Sequence, residues 1–272
     1  MADQEKPITS VSPAPLDAYP PAQVAAMVEA VGVKKANAPL LQLILLGLLA
    51  GAFIAFGAMF YTMSVTGSEL GFGPTRLLGG VAFSLGLILV VVAGAELFTG
   101  NNLIVMAWAD RKVSSAKLLR NWLAVYLANA AGALACVLMV QLSGTLSLGG
   151  GAVGETAARI AEAKLALSFP EAFFRGLLCN ALVCLAVWLC MAARDVTGKI
   201  FAILFPISAF VALGFEHSVA NFYLIPMGML AGGSFDLAGL FGNLLPVTLG
   251  NIVGGSLFVA LVYWLCYLRP AR

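Results

Sequence analysis

The sequence predicts an all-α polytopic membrane protein whose six spanning helices form an inverted 3+3 repeat. Three observations support this fold class. The 272 residues are 61% hydrophobic and only 10% charged, with a mean hydropathy of +0.97, whereas about a quarter of the residues carry charge in an ordinary soluble domain. Two polar stretches of matching pattern interrupt long apolar runs. A second pair of matching segments follows them at nearly the same spacing.

The polar stretches are GAELFTGN at residues 94–101 and GFEHSVAN at residues 214–221. Each has a glycine, a carboxylate two positions later and an asparagine seven positions after the glycine. The second pair is NWLAVYLANAAG at residues 121–132 and NLLPVTLGNIVG at residues 243–254, where Asn, Leu, Val, Leu, Asn and Gly recur at matching places. The chain therefore reads as two copies of one unit.

The N-terminal region is predicted to lie outside the membrane. Residues 1–19 are polar and contain prolines, which predicts a tail. From Pro20 onwards, apolar residues recur at i, i+3, i+4 and i+7 as far as Gly32, which predicts a short amphipathic helix along the membrane surface. We therefore expect a cytoplasmic N-terminal region over residues 1–38 and a transmembrane domain over residues 39–269.

Six apolar segments follow, each at least the roughly 20 residues needed to cross the hydrocarbon layer. Repeat one covers about 40–142 and repeat two about 170–268. The second and fifth segments are overlong and carry the polar stretches, so both are predicted to be broken helices. Because each copy has three spans, an odd number, the copies must be inverted relative to each other. The segments are predicted at about 40–65, 76–108, 116–142, 170–193, 199–230 and 240–268.

The distribution of lysine and arginine predicts the orientation. With the N-terminus in the cytoplasm, the inner segments hold eleven of the fifteen basic residues, as the positive-inside rule requires. We expect a multi-pass protein of a cell membrane, the inner membrane of a bacterium, with both termini cytoplasmic. The inner residues are Lys6, Lys34, Lys35, Arg111, Lys112, Lys117, Arg120, Arg194, Lys199, Arg269 and Arg272; the outer ones are Arg76, Arg159, Lys164 and Arg175.

The two breaks bring polar chemistry into the membrane. Unwound backbone there needs partners, and we interpret Glu96, Asn101 and Glu216 as groups that brace the loops. His217 differs, because it is the one histidine of the chain and its counterpart Leu97 is apolar. An ionisable group that the repeat does not require indicates function.

Thr99 is the hydroxyl expected to face a small anion or the imidazole of His217. The half-helices that begin after the breaks point positive N-terminal ends at the midplane, which favours an anion there.

Several other functions are disfavoured by the sequence. A net charge of +2 with dispersed basic residues gives no surface for nucleic acid. The five cysteines lie in apolar runs without zinc-ligand spacing, so we expect neither metal nor cofactor. An intramembrane hydrolase built on Ser218 and His217 is disfavoured, because adjacent residues point in different directions on a helix. A neutral-solute channel stays an alternative, although the chain lacks paired Asn-Pro-Ala motifs.

The chain resembles the formate/nitrite transporter family over nearly its whole length. The resemblance rests on the two polar stretches together with FSLGLIL at residues 83–89, NALVCLAVW at 180–188, IPMG at 225–228 and PVTLGN at 246–251. It implies an aquaporin-like homopentamer with one anion pathway through each protomer, and formate as the main substrate. Nitrite, hydrosulfide, acetate and lactate remain open as alternatives on the same fold.

The resemblance also implies roles for individual residues. It places the central histidine on His217, the loop threonine on Thr99 and the vestibule lysine on Lys164, with Asn180 and Asn221 at polar positions that line the pathway. The hydrophobic constrictions fall on Phe83, Leu87, Leu97, Val183 and Phe210. Since dehydrating an intact anion between apolar rings is costly, we expect passage to be linked to a proton through His217.

Overall fold

A computed structural model describes residues 17–234 and 236–269 of the chain, and these residues are helical apart from short connections. The expected tail lies outside the described residues as far as residue 16, and so do Lys6 and Arg272. The α-helices are α1 (Pro21–Ala36), α2 (Leu40–Val65), α3 (Phe72–Ile88), α4 (Val105–Ala109), α5 (Ser115–Leu142), α6 (Ala152–Leu165), α7 (Phe169–Ala192), α8 (Val196–Ala212), α9 (Ser218–Gly232), α10 (Leu237–Val253) and α11 (Val262–Tyr267).

Within the described residues, five helical segments are long and apolar enough to cross a membrane, which confirms an all-helical membrane protein. In two of them an α-helix continues through π-helical turns, α3 through Leu89–Gly94 and α10 through Gly254–Leu261 into α11. The five segments are Leu40–Val65, Phe72–Gly94, Ser115–Leu142, Phe169–Ala192 and Leu237–Tyr267.

Both expected breaks are present as non-helical loops. The first loop, residues 95–99, separates α3 and its π-helical turn from a 3-10 turn at Gly100–Ile104 and α4. The second loop, residues 213–217, separates α8 from α9, which have 17 and 15 residues. The predicted span over residues 199–230 is therefore two half-length helices that meet at the second loop.

Glycine ends the helix before each loop. Gly94 has φ +88° and Gly214 has φ +74°, a left-handed conformation that only glycine adopts at little cost. The amide after each glycine then bonds to a carbonyl five residues back: Ala95 to Val90 at 2.9 Å, and Phe215 to Phe210 at 3.0 Å. This Schellman-type closure satisfies carbonyls that would otherwise be unpaired inside the membrane.

Small residues allow the long helices to pack backbone against backbone. A Cβ on Gly132 of α5 would lie 2.0 Å from the carbonyl oxygen of Leu48 in α2, and one on Gly254 would lie 2.0 Å from that of Leu177 in α7. The same close approach thus occurs in the α2–α5 pair and where α7 packs against the end of α10. It is the small-residue contact typical of membrane helices.

Two sequence predictions about the shorter helices were wrong. Helix α1 does not end at Gly32 but continues to Ala36. Gly32 packs closely against Ile104 and Ala107, since a Cβ built at this position would lie 3.4 Å from each of them. The segments predicted at 116–142 and 170–193 leave Lys164 in a connection between them, but it lies in the last turn of α6. Local sequence gave no apolar run there, since α6 is an alanine-rich amphipathic helix.

Candidate functional site

A cluster of one lysine, one glutamate and two asparagines fixes the first loop. Lys35 Nζ donates to Glu96 Oε1 and to Asn101 Oδ1, both at 2.9 Å. Asn101 Nδ2 donates to Glu96 Oε2 at 2.7 Å and to Asn121 Oδ1 at 2.9 Å. The ring closes where Asn121 Nδ2 donates to the Lys35 carbonyl at 3.1 Å. Every member is thus bonded within the cluster, as a buried polar network requires.

The second loop is held by a cluster of the same composition. Lys164 Nζ donates to Glu216 Oε1 at 2.9 Å. Asn221 Nδ2 donates to Glu216 Oε2 and to Asn243 Oδ1, both at 2.7 Å. Asn243 Nδ2 returns to the Lys164 carbonyl at 2.9 Å. Lys35 on α1 therefore occupies in the first half the place that Lys164 on α6 occupies in the second.

A further pair of asparagines supports the loop backbones. Asn129 Oδ1 accepts from the Phe98 amide at 2.9 Å, and its Nδ2 donates to the carbonyl of the first-loop glutamate at 2.9 Å. Asn251 Oδ1 accepts from the Ser218 amide at 2.9 Å, and its Nδ2 donates to the carbonyl of the second-loop glutamate at 3.0 Å. These bonds supply the partners that unwound backbone needs at membrane depth.

Thr99 and His217 meet where the two loops come together. Thr99 Oγ1 lies 3.0 Å from His217 Nε2, and both residues are buried. The Ala220 amide donates to His217 Nδ1 at 3.1 Å. Since an amide N–H can only donate, Nδ1 is the acceptor and the proton of the neutral ring is on Nε2. His217 then donates to Thr99, whose hydroxyl hydrogen is left free for another acceptor.

Apolar side chains enclose this pair. The ring of Phe210 lies over the imidazole of His217 at a centroid distance of 6.0 Å and an interplanar angle of 18°. Phe83 meets Phe210 edge to face at 5.6 Å. Leu87 and Leu97 are each 2% exposed. Val183, also expected at a constriction, is buried in the same apolar cluster.

Two separate cavities approach the pair. The Lys164 vestibule has a volume of about 380 Å³ and is lined by Lys164, Glu216, Phe83, Phe210 and His217 together with three arginines, Arg76, Arg159 and Arg175. The Lys35 vestibule has a volume of about 210 Å³ and is lined by Lys35, Leu87, Leu97, Gly100 and Asn101 among others. The Thr99–His217 pair and its apolar neighbours therefore lie between two cavities that each have a lysine at the wall.

Asn180 and Asn221 are fully buried, and the structure directs their amides at protein partners. Asn180 Nδ2 lies 3.3 Å from the Thr99 carbonyl, 2.7 Å from Asn102 Oδ1 and 2.6 Å from the Asn251 carbonyl. Asn221 belongs to the cluster around Glu216. In this state both hold the loops in place, and their contact with a passing solute stays a prediction.

A charged cluster holds α1, and with it Lys35, against the rest of the protein. Lys112 Nζ lies 2.6 Å from Glu29 Oε2 and 2.9 Å from Asp110 Oδ2. Burial raises the pKa of the Glu29 carboxyl, although its hydrogen bond to Lys112 opposes this. The hydrogen bond from Lys112 lowers the pKa of Asp110. Trp264 of α11 also reaches Asp110 Oδ1 at 3.4 Å. The apolar face of α1 also contributes Val24 and Val28 to a buried apolar cluster, so this part of α1 packs against protein.

Several residues of this site were not predicted from the sequence. The repeated segments at 121–132 and 243–254 contain Asn121, Asn129, Asn243 and Asn251, so their recurrence was the available signal for loop support. Lys35 had no such signal, because it lies outside the repeated segments and its equivalence to Lys164 is visible only in their bonds to Glu96 and Glu216.

A helical membrane protein in which two cation-walled cavities flank a buried polar pair has the architecture of a solute channel. The family model described as formate/nitrite transporter matches residues 22–265. The chain belongs to the formate/nitrite transporter family, as the sequence predicted, and this places it among channels and transporters and not among enzymes.

Similar proteins agree with this assignment. The chain is 42% identical to the formate channel FocA of Escherichia coli K12, over 94% of this chain and 96% of that protein. It is 42% identical to a probable formate transporter of Methanothermobacter thermautotrophicus, over 92% and 97%. A solved pentameric formate channel with formate bound superposes with a TM-score of 0.78 at 41% identity, over 85% of this chain and 98% of that one. A solved FNT family ion channel gives 0.80 at 30% identity, over 91% and 99%.

Proposed function

We propose that this protein is a membrane channel for small monovalent anions, with formate as its main substrate. The observation that carries the proposal is the buried Thr99–His217 pair, placed between two cavities that each present a lysine. The formate channels among its relatives support the choice of substrate. Nitrite, hydrosulfide, acetate and lactate are the competing substrates on the same fold.

The Lys164 vestibule concentrates anions through the three arginines that line it, and the apolar residues between the two vestibules select what passes. A cation at the wall of a narrow cavity focuses the field and raises the local anion concentration. Formate that leaves the Lys164 vestibule passes Phe83 and Phe210, where it loses water, and then meets the free hydroxyl hydrogen of Thr99. Leu87 and Leu97 form the second apolar barrier before the Lys35 vestibule.

Proton linkage follows from the cost of dehydrating an ion at these barriers. An anion in an apolar constriction costs several kcal/mol more than its neutral acid. We infer that formate crosses together with a proton and that His217 relays it. At rest the imidazole is a neutral donor, since the Ala220 amide occupies Nδ1. Charging the ring requires release of that amide, so the relay is coupled to movement of the α9 N-terminus.

The first experiment is formate influx into proteoliposomes of the purified protein over a pH series, with nitrite and hydrosulfide as competitors. Saturable uptake that rises as the outside pH falls supports a proton-linked formate channel. Flux of nitrite or hydrosulfide without formate flux would overturn the choice of substrate. Glycerol-driven swelling without any anion flux would instead support a neutral-solute channel.

Two variants of His217 test the relay. His217→Phe removes both the titrating group and the bond to Thr99. His217→Gln can keep a donor to Thr99 Oγ1 but does not titrate in this range. We expect His217→Gln to pass formate with a flattened pH dependence, and His217→Phe to lose both features. An unchanged pH dependence in His217→Gln would exclude the histidine as the relay.

We further propose that the chain spans the membrane six times as an inverted 3+3 repeat, with an N-terminal region over residues 1–38 and a transmembrane domain over 39–269. The matched clusters of Lys35 and Lys164 support the repeat, and the pentameric relative supports a homopentamer. The positive-inside count supports cytoplasmic termini and an inner-membrane location. Chemical cross-linking of the purified protein, followed by sizing of the products, measures the number of protomers.

A cysteine at Leu148, which is 51% exposed, tests the orientation in a background without the exposed Cys266. Labelling by an impermeant maleimide from outside intact cells is expected, and labelling only after permeabilisation would reverse the orientation.

A further inference from the structure

Two arginine side chains converge on the second loop at the mouth of the pathway. A Cβ on Gly214 would lie 2.9 Å from Arg76 Nη2 and 3.7 Å from Arg175 Nη1. The two guanidinium nitrogens are therefore within about 7 Å of each other above the same glycine. The residues come from α3 and α7, far apart in sequence, so the fold alone brings them together. Any side chain at position 214 would enter the space in front of Arg76.

Backbone carbonyls hold these arginines in place. Arg76 donates through Nε to the Ala212 carbonyl at 2.8 Å and through Nη2 to the Val211 carbonyl at 2.9 Å. Its guanidinium also lies 5.7 Å from the ring centroid of Phe72. Arg175 makes one long bond, from Nη1 to the Gly214 carbonyl at 3.4 Å. Because each guanidinium has five N–H donors, both keep donors that these carbonyls do not use.

The positive charge of the Lys164 vestibule exceeds its negative charge. Of the described residues that line it, Glu216 is the one carboxylate, and it is paired with Lys164. Glu171, one helical turn before Arg175, is engaged with the amide and hydroxyl of Ser168. Glu171 attracts Arg175 on the same helix, but no salt bridge among the described residues includes any of the three arginines of the vestibule.

Capping of the α8 C-terminus explains one arginine but not two. Arg76 already binds two of the last carbonyls of α8, which satisfies the helix end and its dipole. The 3.4 Å bond of Arg175 adds little to this. A monovalent anion needs one cationic partner on entry, and Arg159, which lines the same vestibule, supplies that. The convergence of a second guanidinium therefore points to a ligand with two negative charges.

We propose that Arg76 and Arg175 form a binding site for a small dicarboxylate of three or four carbons, with malonate as the probe. Each guanidinium takes one carboxylate, with the paired geometry that arginine favours. The bound dianion stays in the vestibule, because passage between Phe83 and Phe210 would require dehydration of two charges. It therefore blocks the mouth that formate uses. The block rests on the proposed function, whereas the binding does not.

Calorimetric titration of the detergent-solubilised protein with malonate tests the binding. Monomethyl malonate, which has one charge at similar size, is the ligand control. We expect malonate to bind at least about tenfold more tightly than the monoester, since it gains a second charge-assisted contact. Arg175→Gln should weaken malonate binding by about tenfold or more. Arg175→Lys keeps the positive charge but loses the paired N–H donors of the guanidinium. Its affinity for malonate should therefore lie between those of the wild type and Arg175→Gln.

Arg159→Gln is the matched control, because it removes the same charge from the same vestibule away from Gly214. We expect it to weaken malonate binding by no more than about threefold, through the long-range field alone. Equal effects of Arg159→Gln and Arg175→Gln would overturn the site in favour of a diffuse field. Absence of malonate binding to the wild-type protein, or equal affinity for the monoester, would overturn it as well.

Formate flux in proteoliposomes then tests the block. Malonate on the side of the Lys164 vestibule should inhibit formate uptake. The Arg175→Gln variant should need a higher malonate concentration for the same inhibition, by the factor found for binding. The flux of each variant is normalised to its own flux without malonate. Inhibition that does not shift would refute the site as the cause of the block. If the protein passes no formate while malonate binds through Arg175, the proposed channel function fails and the site stands.

Discussion

Removal of the Lys164 ammonium is expected to destabilise the protein strongly, because it leaves a buried carboxylate without its cation. Glu216 and Lys164 are 5% and 14% exposed as side chains, with 2.9 Å between Nζ and Oε1. Breaking a buried pair by deletion of one partner costs about 3–5 kcal/mol. Since Glu216 keeps its hydrogen bond from Asn221 at 2.7 Å, we expect Lys164→Met to lose about 3 kcal/mol, the lower end of that range.

The first half of the protein provides the matched comparison. Lys35 and Glu96 are 28% and 12% exposed at the same 2.9 Å separation. Water screens this pair more, so Lys35→Met should cost about 1–2 kcal/mol, between the values of surface and buried pairs.

The free energy of unfolding can be measured by titration with sodium dodecyl sulfate in mixed micelles, followed by circular dichroism. The double variant Lys164→Met/Glu216→Gln tests the cause, because it removes the unpaired charge and keeps an acceptor for Asn221. We expect it to recover most of the loss caused by Lys164→Met. A double variant no more stable than the single one would refute the argument, as would equal losses at Lys35 and Lys164.

Three further predictions concern the pathway, the attachment of α1 and the packing of the long helices. Thr99→Val keeps the shape but removes the hydroxyl, so formate flux should fall by about tenfold or more while Thr99→Ser retains it. Burial raises the pKa of the Glu29 carboxyl, so folding favours its protonated form. As the pH rises from the ordinary carboxyl range through the raised pKa, the melting temperature of the wild type should fall relative to that of Glu29→Gln. A rise of the wild-type melting temperature relative to the variant over this range would contradict the prediction. Gly254→Ala places a Cβ 2.0 Å from a backbone oxygen and should cost about 1–3 kcal/mol, whereas Gly242→Ala on the same segment, with nothing within 4 Å of its Cβ, should be neutral or stabilising.

The sequence was sufficient for the class of protein and for the location of its unusual helices. Hydropathy and length reveal membrane helices directly, because the bilayer demands long apolar segments. The glycines, glutamates and asparagines of 94–101 and 214–221 stood out because polar residues are rare in such segments. The same reasoning singled out His217 and Thr99, which the structure places 3.0 Å apart.

Helix α6 and the role of α1 could not be obtained from the same signals. Helix α6 is alanine-rich, with no apolar run, so its 14 residues resembled a connection. The equivalence of Lys35 and Lys164 becomes visible only in their bonds to Glu96 and Glu216. No sequence pattern relates α1, which was predicted to lie along the membrane surface, to the segment that contains Lys164.

By itself, the sequence determined that this is a helical membrane protein of the formate/nitrite transporter family with two interrupted helices and one histidine at a break. Apart from Lys164, which the family resemblance indicated, only the tertiary structure decided which cations lie near those breaks. Lys35, Arg76 and Arg175 lie on three different helices. The sequence shows only that each is a basic residue near the end of a helical segment, whereas the packed structure shows each at a vestibule wall. The reason is physical: hydropathy is a local property of the chain, whereas the convergence of charges depends on how distant helices pack against one another.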